Sequence, residues 1–425
     1  ITMKKKISNH FGKWGWSTIL YCLVAYYISD MIGNCGLNIY TGLLPVLRGW
    51  SASDILYLFS VASWISVVGV IVFSQVGHMT SSRTVALLGY IVLGISTIVF
   101  AQTTSWIAFC ICAVIGVVLA MAVLGVVVPH NLMNKWFPTK KGLALGWATM
   151  GMPLCSATYP ILVQIGIKAI TFETTFTIIG VIIIALGVLS LIWCKNYPEE
   201  VGAYPDNEQI SAEEIQKNIE LEKRHVSNWT LAELFKTSTV WTVGIGYGLV
   251  WMGIVGIVSQ LIPRMVSIGF TQGEATLFFS IVSIIGIAGS YLWGLLDQQI
   301  GTKKASIIYG IWWVVTFAFL IAGSKGSSVV ACILTGIGIG GIGNLVPSMQ
   351  GGLFGRFDFL MANRIIAPLN MIVRTFAMTI MAYCLERGFG YTGAYIVLVV
   401  AVVLGTIIIA FIKKPKKNGL EAPVN

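Results

Sequence analysis

The sequence predicts an all-α membrane protein of twelve transmembrane helices arranged as two six-helix repeats. Three observations predict it. The 425 residues are 56% hydrophobic and only 10% charged, whereas soluble domains carry about 25% charged residues. Apolar segments near the length of about 20 residues that a bilayer requires recur twelve times. A twelve-residue string opening the second segment returns, without gaps, at the opening of the eighth.

In chain order the segments lie at roughly 17–45, 55–76, 84–102, 106–129, 142–166 and 174–194. They resume at roughly 237–262, 275–297, 304–323, 328–350, 363–385 and 391–412. This divides the chain into an N-terminal six-helix bundle (1–194), a hydrophilic linker (195–236) and a C-terminal six-helix bundle with its tail (237–425). Lysine and arginine placement sets the orientation. Lys4, Lys5, Lys6, Lys13, Arg83, Lys135, Lys140, Lys141, Lys303, Lys304, Arg356, Arg364, the basic linker residues and Lys413 to Lys417 fall on one side. Only Arg48, Lys168, Arg264, Lys325 and Arg387 fall on the other. Both termini and the linker are therefore expected in the cytoplasm, the bundle in the inner (plasma) membrane. The net charge of +10 is a topological signal rather than a nucleic-acid footprint. Lys4–Lys6 precede a span that is long and carries Asp30, so no cleavable leader is expected.

The repeat is explicit in Gly49-Trp-Ser-Ala-Ser-Asp-Ile-Leu-Tyr-Leu-Phe-Ser60 against Gly269-Phe-Thr-Gln-Gly-Glu-Ala-Thr-Leu-Phe-Phe-Ser280. Each string reads as a loop, a helix cap and an acid in the first turn, where the helix dipole favours negative charge. Gly77…Arg83 echoes Gly294…Lys303 after those spans. Six plus six segments related by duplication is the layout of a rocking-bundle transporter.

Gly294-Leu-Leu-Asp-Gln-Gln-Ile-Gly-Thr-Lys-Lys304 resembles the signature loop of the major facilitator superfamily. The resemblance implies that Asp297, Lys303 and Lys304 latch spans of neighbouring halves. The N-terminal copy, Gly77-His-Met-Thr-Ser-Ser-Arg83, lacks the acid. Trp136-Phe-Pro-Thr-Lys-Lys-Gly-Leu-Ala-Leu-Gly-Trp-Ala-Thr-Met-Gly151 resembles the monocarboxylate transporter motif before the fifth span. Gly12-Lys-Trp-Gly-Trp16 is similar to the start of that group's first span, with Phe11 where an acid is usual. Pro198-Glu-Glu-Val-Gly-Ala-Tyr-Pro-Asp-Asn207 resembles bacterial members of the oxalate/formate antiporter group. Relatives that carry dicarboxylates or lactate commonly hold a basic residue in span eight, and Phe278 to Trp293 has none.

The linker carries the densest charge. Ser211-Ala-Glu-Glu214 reads as a capping box opening a short amphipathic helix. Asn228-Trp-Thr230 matches the glycosylation pattern but falls on the cytoplasmic side.

Two charges lie inside spans. Arg374 sits near the middle of Ala367–Tyr383, where a charged side chain costs roughly 2.5–3.5 kcal/mol on insertion scales. Arginine cannot discharge itself, so it is expected to face a wet cavity, a counter-charge or an anionic ligand. Asn370 lies one turn earlier on the same face. Asp30 lies fourteen residues beyond Trp16, or ~21 Å along the helix, again near mid-depth. Asp30, Asn34 and Asn38 follow one another at i, i+4 and i+8, with Tyr26 and Tyr27 a turn below. Two arrangements remain open. Either Arg374 holds a ligand carboxylate while Asp30 carries a proton, or Asp30 pairs with Arg374 or with the asparagines. Further cavity candidates are Tyr247 and Trp251 on span seven and Asn344 after the glycine run Gly336–Gly343.

No enzyme constellation appears. The span-ten glycines lack the Gly-Lys-Ser/Thr ending of a nucleotide loop, the four histidines lack metal spacing, and the eight cysteines read as apolar filler. No cofactor or metal is expected. The sequence reads as a monomeric secondary transporter in the lipid bilayer, exchanging or cotransporting a small organic anion with a proton or counter-anion. A single arginine suits a single carboxylate, so the anion expected is a monocarboxylate. Arg374, Asn370, Asn34, Tyr26, Asn38, Tyr247, Trp251 and Asn344 would line its path. A zwitterionic or bulkier acid, a drug-efflux role and a non-transporting sensor are the alternatives.

Overall fold

Helices account for nearly all of the computed structural model, which describes residues 9–224, 227–417 and 420–421. Ten helical runs among them are long and apolar enough to cross a membrane. One of the ten, Lys325–Glu386, is 62 residues long and breaks at Gly355, where φ is +72°, a conformation glycine adopts without a Cβ penalty. Taking its two arms as spans ten and eleven, and adding the helical run 12–48 as span one, gives the twelve segments expected. Among the described residues the only strand pairing is a two-residue antiparallel one, Lys416–Lys417 with Leu420–Glu421.

Helix starts follow the predicted chemistry. Span two, Ala52–Met79, opens with Ser51 accepting from the Ser53 N–H at 3.2 Å and carries Asp54 in its first turn. Its counterpart, span eight (Gln272–Ile300), opens with a full capping box. The Thr271 hydroxyl accepts from the Glu274 N–H at 3.2 Å, and the Glu274 carboxylate accepts from the Thr271 N–H at 2.8 Å. The linker helix Ala212–Arg224 starts where Ser211 accepts from the Glu214 N–H at 3.2 Å.

The described residues form two compact units. One comprises the described parts of residues 11–137 and 154–226. Within it span three, Ser82–Gln102, and span six, Phe172–Trp193, cross backbone to backbone. A Cβ on Gly94 would lie 2.6 Å from the Gly180 carbonyl, and one on Gly180 would lie 2.7 Å from the Gly94 carbonyl. Small residues permit this approach where van der Waals packing, not water exclusion, joins helices. The linker straps onto the same unit through ion pairs of Arg83 with Glu200 and Lys135 with Glu222.

Span one is not a uniform helix. Gly12–Asp30 and Gly36–Arg48 flank a π-helical turn, Met31–Cys35. The Met31 carbonyl leans to within 2.7 Å of where a Gly36 Cβ would stand, and the Tyr40 hydroxyl to within 2.9 Å of it. Only glycine at 36 admits both. Span four carries a second π segment, Leu119–Val127, and its Gly125 leaves room for the Ser29 hydroxyl, 2.5 Å from the position a Cβ would take. Wide turns of this kind interrupt the i→i−4 ladder and often mark functional segments.

The other unit gathers the described parts of 1–10, 138–153 and 227–425. It therefore holds the first part of span five, the helix Lys141–Ala148, which by sequence belongs to the first repeat. That helix packs on span eight through glycine against glycine. A Cβ on Gly294 would lie 2.7 Å from the Gly146 Cα and 2.5 Å from the Gly142 carbonyl. Span seven, Ser238–Ser267, runs against span eleven at Gly244 and Gly248 and against span twelve, Gly390–Ala410, at Gly246 and Gly405. The Asn228 stretch docks on Asp358, whose carboxylate accepts from the Ser227 hydroxyl (2.6 Å), the Asn228 N–H (2.7 Å) and the Asn228 amide (3.0 Å).

Candidate functional site

In the C-terminal unit the site begins with two glycines. Cβ atoms on Gly244 and Gly248 would each lie 2.8 Å from span eleven, at Leu369 and Val373. Their absence draws span seven onto that helix. The next turn of span seven then presents Trp251, and the next residue of span eleven is Arg374. The guanidinium carbon of Arg374 lies over the Trp251 ring, 4.3 Å from its centroid. Such a contact contributes about 0.5–2 kcal/mol and leaves the in-plane N–H donors of the guanidinium available at its edge.

Among the described residues the ion pairs join Arg48 to Glu173, Arg83 to Glu200 and Lys135 to Glu222. Arg374 has no carboxylate partner in that set. Asn370, one turn before it, is buried, and its amide Nδ2 has no hydrogen-bond partner. Buried polar groups are nearly always satisfied, so such a donor calls for an explanation. Tyr247 is placed differently from Trp251 despite the four-residue spacing. It is fully buried and its hydroxyl shares a 2.6 Å hydrogen bond with Ser306 of span nine, Thr302–Ala322. Asn344 is also buried, donating to the Ser290 carbonyl at 2.6 Å and accepting from the Thr149 hydroxyl. Both side chains direct their polar atoms to the protein itself.

In the N-terminal unit Asp30 ends the regular part of span one. Its Oδ2 accepts from the Cys35 thiol at 3.0 Å and from the Ser156 hydroxyl at 3.0 Å. The Cys35 sulfur and the Ser156 hydroxyl are themselves 3.3 Å apart. Asp30, Cys35 and Cys155 are all buried, and their donor atoms lie within 4.8 Å of one another. Tyr26 is fully buried with its hydroxyl unpartnered, its ring 6.1 Å from that of His130 on span four. Tyr27, half-buried, shares a 3.0 Å hydrogen bond with Thr158. The side chains of Asn34 and Asn38 lie outside the described residues.

The signature-loop residues separate by role. Asp297 is buried at the end of span eight against Gly142, where a Cβ would collide with its carboxylate. The hydroxyls of Thr302 and Ser348 stand beside it, 3.2 Å from each other. Lys303 donates to the Ile412 carbonyl at 3.0 Å, capping the end of span twelve, and Lys304 is exposed. The sequence marks Trp251 and Arg374, but not their contact, because it lies between helices far apart in the chain. Cys35 and Cys155, filler by sequence, and Ser156 are brought together by the π turn.

Comparison with known proteins agrees with the helical architecture. The model of the Major Facilitator Superfamily matches residues 14–352. An oxalate:formate antiporter of Oxalobacter formigenes is 25% identical over 242 residues, covering 56% of this chain and 54% of that protein. The match thus spans about half the length of that relative. An uncharacterized MFS-type transporter of Escherichia coli (strain K12), YhjX, is 20% identical over 354 residues, 82% of each chain. Among solved structures, the proton:xylose symporter XylE bound to 6-bromo-6-deoxy-D-glucose superposes with a TM-score of 0.75. That match covers 94% of this chain and 96% of that one at 13% identity, a likeness of fold alone. This chain is a multi-pass membrane protein and belongs to the major facilitator superfamily.

Proposed function

We propose that the protein is a secondary transporter of a small organic anion, a monocarboxylate, working by alternating access with proton coupling or anion exchange. One observation carries the reading. Arg374, deep in an apolar span, rests on Trp251 without an acid partner among the described residues, one turn from the unsatisfied Asn370 amide. A permanent cation in that position is tolerated when an anionic passenger meets it. A single arginine offers one bidentate fork, which matches one carboxylate. The similarity to an antiporter of oxalate and formate supports an organic anion. The protein would act as a monomer in the inner (plasma) membrane with both termini cytoplasmic.

Counterflow in proteoliposomes over a panel of mono-, di- and zwitterionic acids tests this. Monocarboxylates are expected to drive exchange best. A panel in which only zwitterions or hydrophobic cations exchange would refute the reading, and specific binding without any counterflow would make the protein a sensor.

Asp30 is the proposed proton carrier, held by the Cys35 and Ser156 donors. Asp30→Asn keeps the shape and removes the titration. Uptake by this variant is expected to lose its response to an imposed proton gradient while exchange of internal for external anion persists. Uptake that still follows the gradient would exclude Asp30 from coupling.

A further inference from the structure

We propose that Asp30, Cys35 and Cys155 form a binding site for a thiophilic divalent cation of the zinc–cadmium class. In a regular helix a residue and its fifth neighbour point about 140° apart. The π turn Met31–Cys35 inserts the extra residue that brings Cys35 back onto Asp30, thiol to carboxylate at 3.0 Å. Cys155, on the helix Gly151–Ala169, completes the set from the facing span. One carboxylate oxygen and two sulfurs then lie within 4.8 Å of one another, all buried.

Tetrahedral coordination with metal–sulfur bonds of about 2.3 Å places ligand sulfurs ~3.8 Å apart. The donors therefore need to contract by at most about 1 Å, the scale of a rotamer adjustment. The Ser156 hydroxyl, 3.0 Å from Asp30 Oδ2 and 3.3 Å from the Cys35 sulfur, stands near a fourth position. Two sulfurs among three donors select soft or borderline cations over magnesium and calcium. Binding displaces the two thiol protons, leaving two thiolates and a carboxylate against a double positive charge. A bound cation would tie span one to span five inside the N-terminal unit. It would also occupy the carboxylate assigned to the proton, a consequence that rests on the carrier reading above.

Cadmium ion titrated into the purified full-length protein in detergent, followed by its ultraviolet cadmium–thiolate absorbance, tests the site. One ion per chain with the amplitude of two thiolates is expected. Cys35→Ser and Cys155→Ser should each weaken binding at least tenfold and halve the amplitude. Cys110→Ser and Cys22→Ser should leave both unchanged. X-ray absorption of the cadmium-loaded wild type, which needs no variant, should find two sulfurs with oxygen completing the shell. No binding above a detergent blank, an absorbance that follows Cys22 or Cys110, or a shell with any other number of sulfurs would overturn the site. Stoichiometric cadmium should also stop counterflow in the wild type and spare Cys155→Ser. Binding without inhibition would uphold the site and refute its tie to transport, and failure of the carrier reading would leave the binding result standing.

Discussion

Arg374→Ala is expected to abolish anion exchange while the protein still inserts and remains monodisperse. Removing a charge from mid-span relieves an insertion cost of roughly 2.5–3.5 kcal/mol, so the substitution does not threaten assembly. The loss falls on the ligand. Truncating one partner of a buried, hydrogen-bonded charge pair costs about 2–5 kcal/mol, or about 30-fold to several-thousand-fold in affinity at 1.4 kcal/mol per tenfold. Arg374→Lys keeps the charge but not the planar fork, and should recover only part of it. Trp251→Ala removes the ring under the guanidinium and should weaken exchange about 2- to 30-fold, the range of a cation–π contact. Binding affinity and counterflow rate, measured together on the three variants, order them as wild type, Trp251→Ala, Arg374→Lys, Arg374→Ala. Exchange by Arg374→Ala with unchanged affinity would remove the arginine from the site and the anion from the proposal.

The parts of the fold legible in the sequence were those fixed by local chemistry or by an anomaly. Thr271 and Glu274 announce a helix start because two backbone donors need partners there, and Ser211 does the same in the linker. Arg374 stands out because it is the one charge in the apolar run Ala367–Tyr383. The rest depends on what approaches from elsewhere. Met31–Cys35 holds no proline to announce a break, and its Asn34 reads as part of a regular polar face; the wide turn is accommodated because Gly36 admits the Met31 carbonyl and the Tyr40 ring. By spacing alone the cysteines are apolar filler, yet the turn sets Cys35 beside Asp30 and Cys155. Trp251 and Arg374 meet because two glycines of span seven sit against Leu369 and Val373, a pairing of helices far apart in sequence. Residues 138–153 continue the first repeat in sequence but cluster with the C-terminal unit, because backbone contact at Gly142, Gly146 and Gly294 outweighs chain continuity.

That contact carries the second large effect: Gly146→Leu is expected to stall exchange with little change in anion affinity. A Cβ at 146 would lie 3.1 Å from both the Gly294 Cα and the Ser290 carbonyl. Those atoms are backbone and cannot rotate aside. Overpacking of this kind costs about 1–3 kcal/mol, a shift of about 5- to 150-fold in the population of the packed arrangement. In alternating access one repeat moves against the other about the binding site, so a cycle that needs this packing slows by a similar factor while Arg374 and Trp251 remain untouched. Gly146→Ala, with its single methyl at the same 3.1 Å approach, should give an intermediate rate. Gly273→Leu, on the same eighth-span helix but with nothing within 4 Å of an added Cβ, should exchange like the wild type. Wild-type counterflow by Gly146→Leu would mean that the glycine contact is not remade during the cycle. A matching loss of anion binding would mean instead that the substitution reaches the ligand, and either result would show that the cycle does not depend on the Gly146 contact of spans five and eight.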